Sequence, residues 1–204
     1  MPAKNEKSEP KKINKSVIVK VAFNVLLEEG LKKISIRKIA ERLEIKGSSI
    51  YWHVKNKNEL LELLAEEICK EICLPDEELA LEEQILQISY EFRRVLLKYR
   101  DSAYVLVETA PTTPYRLELI KKIGGLLHQL GLESEDIFSA SWMLNNYITS
   151  FVLEEYRFND IPMDDPDSLT FLEHLPFDPS AMKMENEFQF GLEVLLEGFK
   201  SKIK

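Results

Sequence analysis

The 204 residues carry 27 Lys/Arg against 35 Asp/Glu, a net charge of −8, with 45% apolar residues and two cysteines. That apolar share supports a packed core and excludes a disordered chain; two cysteines exclude a disulfide-stapled scaffold. No apolar segment follows Met1, and the longest apolar run, Phe138 to Leu153, is broken by Asn145 and Asn146 and is too short for a bilayer, so neither a signal peptide nor a membrane span is expected.

Residues 1–12 are polar and basic, and read either as a flexible arm or as a terminus that touches nothing. Asn14 can cap a helix to about Glu29, with Val17, Val21, Ala22, Val25 and Leu26 on one side and Gly30 as its stop. Two short helices are expected between Ser35 and Lys57. Asn56 then caps a longer helix from Lys57 to Cys73, striped by Leu60, Leu61, Leu64, Ile68 and Ile72 and broken by Pro75. Further amphipathic helices are expected over Pro75–Tyr99, Asp101–Glu108 and Tyr115–Leu130. The last of these holds Gly124 and Gly125, which permit a bend or close packing. A helix from Ser134 to about Tyr156 is apolar nearly all round, so burial on several sides is expected. Asn159–Pro179 reads as a long loop, and Ser180–Ile203 as a final helix with Phe188, Leu192, Leu195, Leu196 and Phe199 on its stripe. The fold class is therefore all-α. Cys69 and Cys73, four apart on a helix, are expected to be reduced packing residues in a cytoplasmic protein.

The densest signal lies between Ser35 and Lys57. Ile36, Ile39, Ala40 and Leu43 define one buried face, while Arg37, Lys38, Glu41 and Arg42 fill the other. Ile45 follows as an apolar plug, and Gly47 offers a backbone that residues with a Cβ avoid. Ser48, Ser49, Tyr51, Trp52 and His53 then form a short helix without an acidic residue. This is the pattern of a helix-turn-helix, in which one helix crosses the DNA backbone and the next enters the major groove. Charge agrees with it. Residues 1–60 hold 14 Lys/Arg and 7 Asp/Glu, net +7, leaving 13 and 28 for the rest, net −15. A basic head can displace counterions from phosphates, and an acidic body would be repelled by them.

The string IYWHVKNKNELLELLA, with LLKYRDSAYVLVET before Pro111 and SFVLEE around Glu154, resembles the TetR family of bacterial transcriptional repressors, in particular its tetracycline-repressor branch. The resemblance runs from about Ile13 to Lys204. It implies a homodimer, with a flexible arm over 1–12, a three-helix DNA-binding domain over 13–60 and a helical ligand-binding and dimerisation domain over 61–204. It also implies that the last two long helices pair with their copies. Trp142, Met143, Tyr147, Phe151, Phe188, Leu192 and Leu195 offer apolar surface for that seam, a reading favoured over their filling the chain's own core.

The DNA contacts that the resemblance implies are Ser35, Arg37, Lys46, Gly47, Ser48, Ser49, Tyr51, Trp52, His53 and Lys57. Arg37 matches a base- and phosphate-reading arginine, and Ser48 and Ser49 match positions facing bases. Tyr51 and His53 match backbone or base contacts, and Lys57 matches a phosphate contact. Trp52 is expected to lie against the DNA backbone while also packing. Lys46 and Gly47 replace residues that help read the operator, so a different operator is expected.

For the effector the pattern changes. Tetracycline repressors hold a drug–magnesium chelate with a histidine on the sixth helix and a carboxylate late in the eighth. Glu154 matches the carboxylate, but Leu106 stands at the histidine position and cannot ligate a metal. Cys73 and Ile88 replace a drug-binding histidine and asparagine, and Asn146 replaces another polar contact; Phe92, Thr109 and Pro111 match. A small, mainly apolar effector is therefore expected, with no metal and no cofactor. Its pocket would be formed by Phe92, Tyr104, Leu106, Thr109, Pro111, Trp142, Met143, Asn146 and Glu154, with His128 at the margin. Asn145 and Asn146 are equally open to hydrogen bonds across a dimer seam. His128 and His174 otherwise read as surface histidines. No Glu-x-x-His pair, Gly-rich phosphate loop or nucleophile motif supports an enzyme. The alternative is a DNA-binding protein of low specificity without a ligand. The partners expected are double-stranded operator DNA, a small-molecule effector and a second copy of the chain, and no membrane.

Overall fold

The computed structural model describes residues 13–159, 176 and 183–203, and all regular structure among them is helical. The expectations for the arm, for the loop beyond Asn159, for His174 and for a helix start at Ser180 lie outside those residues. Two compact units divide between Leu60 and Leu61. No described helix is long and apolar enough to cross a membrane.

In the first unit, α1 (Lys15–Glu29) starts where Asn14 is extended and its side chain accepts from Val17 N–H at 2.9 Å. It stops at Gly30, where φ is 84° and the N–H donates to Leu26 O. The buried face is Ile18, Val19, Ala22, Val25 and Leu26. Val17 and Val21 are half-buried, so the stripe sits one residue round from the expected one. A 3₁₀ turn (Leu31–Lys33) leads to α2 (Ile36–Arg42), whose N-cap Ser35 accepts from Lys38 N–H. At its far end Ile45 N–H donates to Ala40 O and Glu44 N–H to Glu41 O, the paired bonds of a Schellman stop. The left-handed residue in that turn is Glu44, with φ 56°. Gly47, expected to supply unusual backbone, instead opens α3 (Gly47–Ile50) with no φ in the left-handed region. Ile50 and Val54 anchor α3 by complete burial.

Helix α4 (Lys57–Cys69) is capped by Asn56, whose side chain accepts from Glu59 N–H, while Glu59 accepts from Lys55 N–H. It ends four residues before the expected Cys73. Glu71 and Ile72 tighten into bonds to Ile68 O and Cys69 O, which turns Cys73 out to solvent and leaves Cys69 buried. Only one of the two cysteines is therefore a packing residue. The next helix, α5 (Leu81–Lys98), begins six residues later than Pro75. Asp76 accepts from Glu78 N–H and holds a turn, and Glu83 accepts from Ala80 N–H to start the helix.

Helices α6 (Ser102–Val107), α7 (Pro114–Leu130), α8 (Ser134–Asn159) and α9 (Met184–Lys200) complete the second unit, with α8 packed on α5, α6, α7 and α9. Helix α7 runs unbroken through Gly124 and Gly125; a Cβ at Gly124 would sit 3.4 Å from Ile137 on α8, so that glycine permits close packing. The start of α7 is not capped by Thr113, whose hydroxyl makes no such bond. Glu66 on α4 accepts from Tyr115 N–H instead, at 3.1 and 3.2 Å.

Between α5, α8 and α9 lies a buried ionic cluster. Arg93 donates to both oxygens of Glu155 at 2.9 Å and to Glu185 at 2.6 Å. Its guanidinium also stacks 4.8 Å from the Phe188 ring centroid. Tyr147 stacks on Phe188 and donates to Phe188 O and Glu187 O; burial pushes its phenol up to about 12. Gly191 lies under that hydroxyl with no space for a Cβ. Phe188 and Leu192 are fully buried, with Tyr147 stacked on Phe188 and Phe151 edge-on to it. Phe188 and Leu192 therefore fill the chain's own core rather than a seam, whereas Tyr147, Phe151 and Leu195 are half-buried in the single chain. Helix α8 is not buried all round: Phe138, Trp142 and Met143 are exposed on it, as are Phe190 and Val194 on α9.

Candidate functional site

The helix-turn-helix presents a distinct surface. Trp52 is 88% exposed and Tyr51 57% exposed in the turn after α3. The expectation that Trp52 also packs is not met: Ile50 and Val54 on either side take the interior positions. Arg37, Lys46, Ser48 and Lys57 are exposed; Ser35, Gly47, Ser49 and His53 are half-buried. Two other basic residues of α2 are committed internally. Lys38 pairs with Glu29 at 2.9 Å and Arg42 with Glu28 and Glu29 at 2.6 Å; hydrogen bonds from Lys38 and Arg42 hold the Glu29 carboxyl below its usual range. Arg37, Lys46 and Lys57 enter no ion pair among the described residues. Ser35 spends its oxygen on capping α2. A side chain at Gly47 would point into open space, so its absence lets a partner's backbone come close.

In the second unit, a cavity of about 330 Å³ lies among α4, α5, α6, α7 and α8. Of the residues expected at a pocket, Phe92, Leu106, Thr109, Pro111, Trp142 and Asn146 line it. Tyr104, Met143 and Glu154 do not. Tyr104 sits two positions from Leu106, on the exposed side of the short α6. Met143 is exposed beside Trp142. Glu154, beyond the cavity on α8, is exposed and paired with Arg157. His128 is exposed and off the wall. Asn145 lines the cavity together with Asn146.

Sequence reasoning missed Cys69, Arg116, Phe138, Ser141 and Thr149 on that wall. Burial pushes the Cys69 thiol up to about 12, so it faces the cavity as a neutral group. The Arg116 guanidinium donates from Nη1 to Thr109 Oγ1 at 2.7 Å, Thr109 O at 3.1 Å and Ala110 O at 3.0 Å, and from Nη2 to Leu106 O at 3.1 Å. Desolvation lowers its pKa. The polar atoms on the wall are thus hydroxyls, amides, a thiol and a cation, and a divalent metal finds no carboxylate there. No group of three or more His, Cys, Asp or Glu that could hold a metal occurs among the described residues.

A basic helix-turn-helix unit joined to a larger helical unit with an internal cavity defines a one-component regulator, carrying reader and sensor in one chain. Comparison with known proteins makes the class specific. Residues 18–64 match the model for bacterial regulatory proteins of the tetR family, and residues 74–203 match that for the tetracyclin repressor-like C-terminal domain. The tetracycline repressor protein class E of Escherichia coli is 30% identical over 193 residues, covering 91% of this chain and 90% of that protein. The structure of the Streptomyces coelicolor TetR family protein ActR in complex with actinorhodin is similar at a TM-score of 0.83 and 26% identity, covering 93% of this chain and 97% of that one. TetR from Acinetobacter baumannii AYE is similar at 0.72 and 29% identity, covering 93% and 98%. The chain belongs to the TetR family of bacterial transcriptional regulators.

Proposed function

We propose that this regulator is a homodimeric repressor that occupies a palindromic operator and leaves it when a small, largely apolar molecule fills the cavity of the second unit. Residues 13–60 act as the DNA-binding domain and residues 61–204 as the ligand-binding and dimerisation domain. The observation that carries the reading is the outward display of Tyr51 and Trp52 beside uncommitted Arg37, Lys46 and Lys57. Exposed rings next to free cations suit a sugar–phosphate wall and gain nothing in water. Ser48 and Ser49 are assigned to base edges, and Gly47 and His53 to close approach at the groove.

Dimerisation is supported by the exposed rings of Phe138 and Trp142 on α8 and of Phe190 on α9, 76%, 60% and 67% accessible in the single chain. Phe138 and Trp142 also line the cavity, so a partner covering them would close its open side. An effector preferring the dimer with its two heads mis-spaced lowers operator affinity by its differential affinity for that state. Helix α4, which starts at Lys57 and continues into the second unit, is the covalent route for that change.

Selection from random duplexes with purified protein at two salt concentrations tests the DNA half. Enrichment of one palindrome, with half-sites about one helical turn apart, is expected. Binding that collapses uniformly with salt and enriches nothing refutes it and favours a low-specificity DNA binder.

A further inference from the structure

The cavity wall is mostly apolar, with neutral polar groups and one cation. Among the described lining residues Arg116 is the single charged side chain. It enters no ion pair among the described residues; its partners are three carbonyls and the Thr109 hydroxyl, all neutral. Such oxygens hold a guanidinium in place without cancelling its charge. A guanidinium has five N–H donors. The two on Nη1 are shared among three oxygens and one on Nη2 goes to Leu106 O, which leaves the Nε hydrogen and one Nη2 hydrogen without a protein acceptor.

The nearby carboxylate of Glu66 accepts from Tyr115 N–H and attracts the guanidinium without pairing with it. Glu62 attracts the Arg116 guanidinium as well. A desolvated, fixed cation that makes no ion pair among the described residues and keeps two open N–H groups favours an incoming anion, since charge-assisted bonds gain strength where water is excluded. Phe92, Phe138 and Trp142 give the same cavity aromatic faces, and the Asn145 and Asn146 amides add neutral donors and acceptors.

We propose that the cavity selects a fused or linked aromatic molecule bearing one acidic group, a carboxylate, sulfonate or phenolate, whose anion sits on the Arg116 guanidinium while its rings lie against Phe92, Phe138 and Trp142. This rests on the reading of the cavity as the effector site. It narrows that reading from a largely apolar molecule to an aromatic acid, and makes Arg116 the specificity-determining residue.

The test uses two fluorescent probes of one ring system on the full chain: anilinonaphthalene sulfonate, and phenylnaphthylamine, which lacks the sulfonate. The sulfonate is expected to bind about tenfold tighter or better. Arg116→Gln is expected to abolish that preference while phenylnaphthylamine binding persists and reports an intact cavity. Arg116→Lys keeps the charge and should retain part of the preference. Leu106→Trp, which fills the cavity, should remove both signals.

Equal affinities in the native chain, or a sulfonate preference that survives Arg116→Gln, overturn the acid while leaving an effector cavity. Failure of both probes to bind, or binding that survives Leu106→Trp, overturns the cavity reading as well. If Arg116→Gln loses both probes, Arg116→Lys decides. Recovered sulfonate preference supports the proposal; phenylnaphthylamine binding without preference sinks it.

Discussion

Replacing Arg93 by methionine keeps most of the side chain's length and removes its charge. Arg93 is 7% exposed and Glu155 8% exposed, and the two share paired bonds of 2.9 Å. The substitution strands a buried carboxylate, which costs about 3–5 kcal/mol in comparable sites. Loss of the stacking on Phe188, at 4.8 Å, adds about 1 kcal/mol. Glu185 is 63% exposed on its side chain, so its bond to Arg93 contributes less than about 1 kcal/mol. The expected cost is therefore about 4 kcal/mol, a large part of an ordinary domain's stability. Urea denaturation followed by circular dichroism, at fixed protein concentration, measures it. The double change Arg93→Met with Glu155→Leu should recover most of the loss, because a buried ion pair exchanged for packed apolar groups is close to neutral. A single-variant cost below about 1 kcal/mol, or a double variant no better than the single, would refute the reasoning.

Gly191→Ala should cost about 1–3 kcal/mol, since its Cβ collides with the Tyr147 hydroxyl, and Tyr147→Phe in the same chain should return part of it; additive losses in thermal melts would falsify the steric account. Glu44→Gly is expected to stabilise the head by about 0.5–1 kcal/mol by relieving left-handed strain, and an unchanged or lower melting temperature counts against that. Trp52→Ala should move stability by less than about 0.5 kcal/mol because the ring is exposed, yet weaken operator binding in gel-shift titrations; the reverse pattern would place Trp52 in the core. In the folded chain the Cys69 thiol is pushed from 9.0 up to about 12, so between those values the native state holds a proton that the unfolded chain has lost. Its contribution is fully present below pH 9 and is lost as pH rises towards 12. Over that window Cys69→Ala should flatten the fall of stability with pH by about 1.4 kcal/mol per unit, and parallel curves would show that the thiol is not buried.

The sequence revealed helix starts better than helix ends. Asn14 and Asn56 read as caps and both accept the next turn's N–H; Ser35, which reads only as a DNA contact, caps α2 as well. Pro75 was a poor guide because a proline marks where a helix cannot continue, not where one unwinds. Helix α4 had already ended at Cys69, and Asp76 then held a turn that looks helical in composition. The start of α7 reads one residue late, at Tyr115, because its cap, Glu66, lies 49 residues from Tyr115 in the chain.

The expected pocket residues fared unevenly for a related reason. Phe92 and Leu106 lie on stripes that an amphipathic reading aims inward, whereas Tyr104 sits on the outer side of its helix; Trp142 and Met143 are both exposed on α8, and only Trp142 reaches the cavity, which composition does not distinguish. Arg116 was missed because a basic residue in the first turn of an amphipathic helix reads as solvent-facing. The one hint was that its neighbours four residues away, Thr112 and Ile120, offer no carboxylate to pair with it. Phe188 and Leu192 were assigned to a seam for want of any view of Arg93 and Tyr147, which close the interior around them.

The grip of Glu66 on Tyr115 has a consequence for how such a protein diversifies. Because a distant carboxylate fixes where α7 begins, that helix is located in space rather than by counting residues from α6. The short connection from Pro111 to Pro114 is therefore spanned twice, by Glu66 holding Tyr115 and by Arg116 bonded back to Leu106, Thr109 and Ala110, so the walls of the chamber keep their register across it. New molecules can be accommodated by editing side chains on those walls, with the scaffold left untouched.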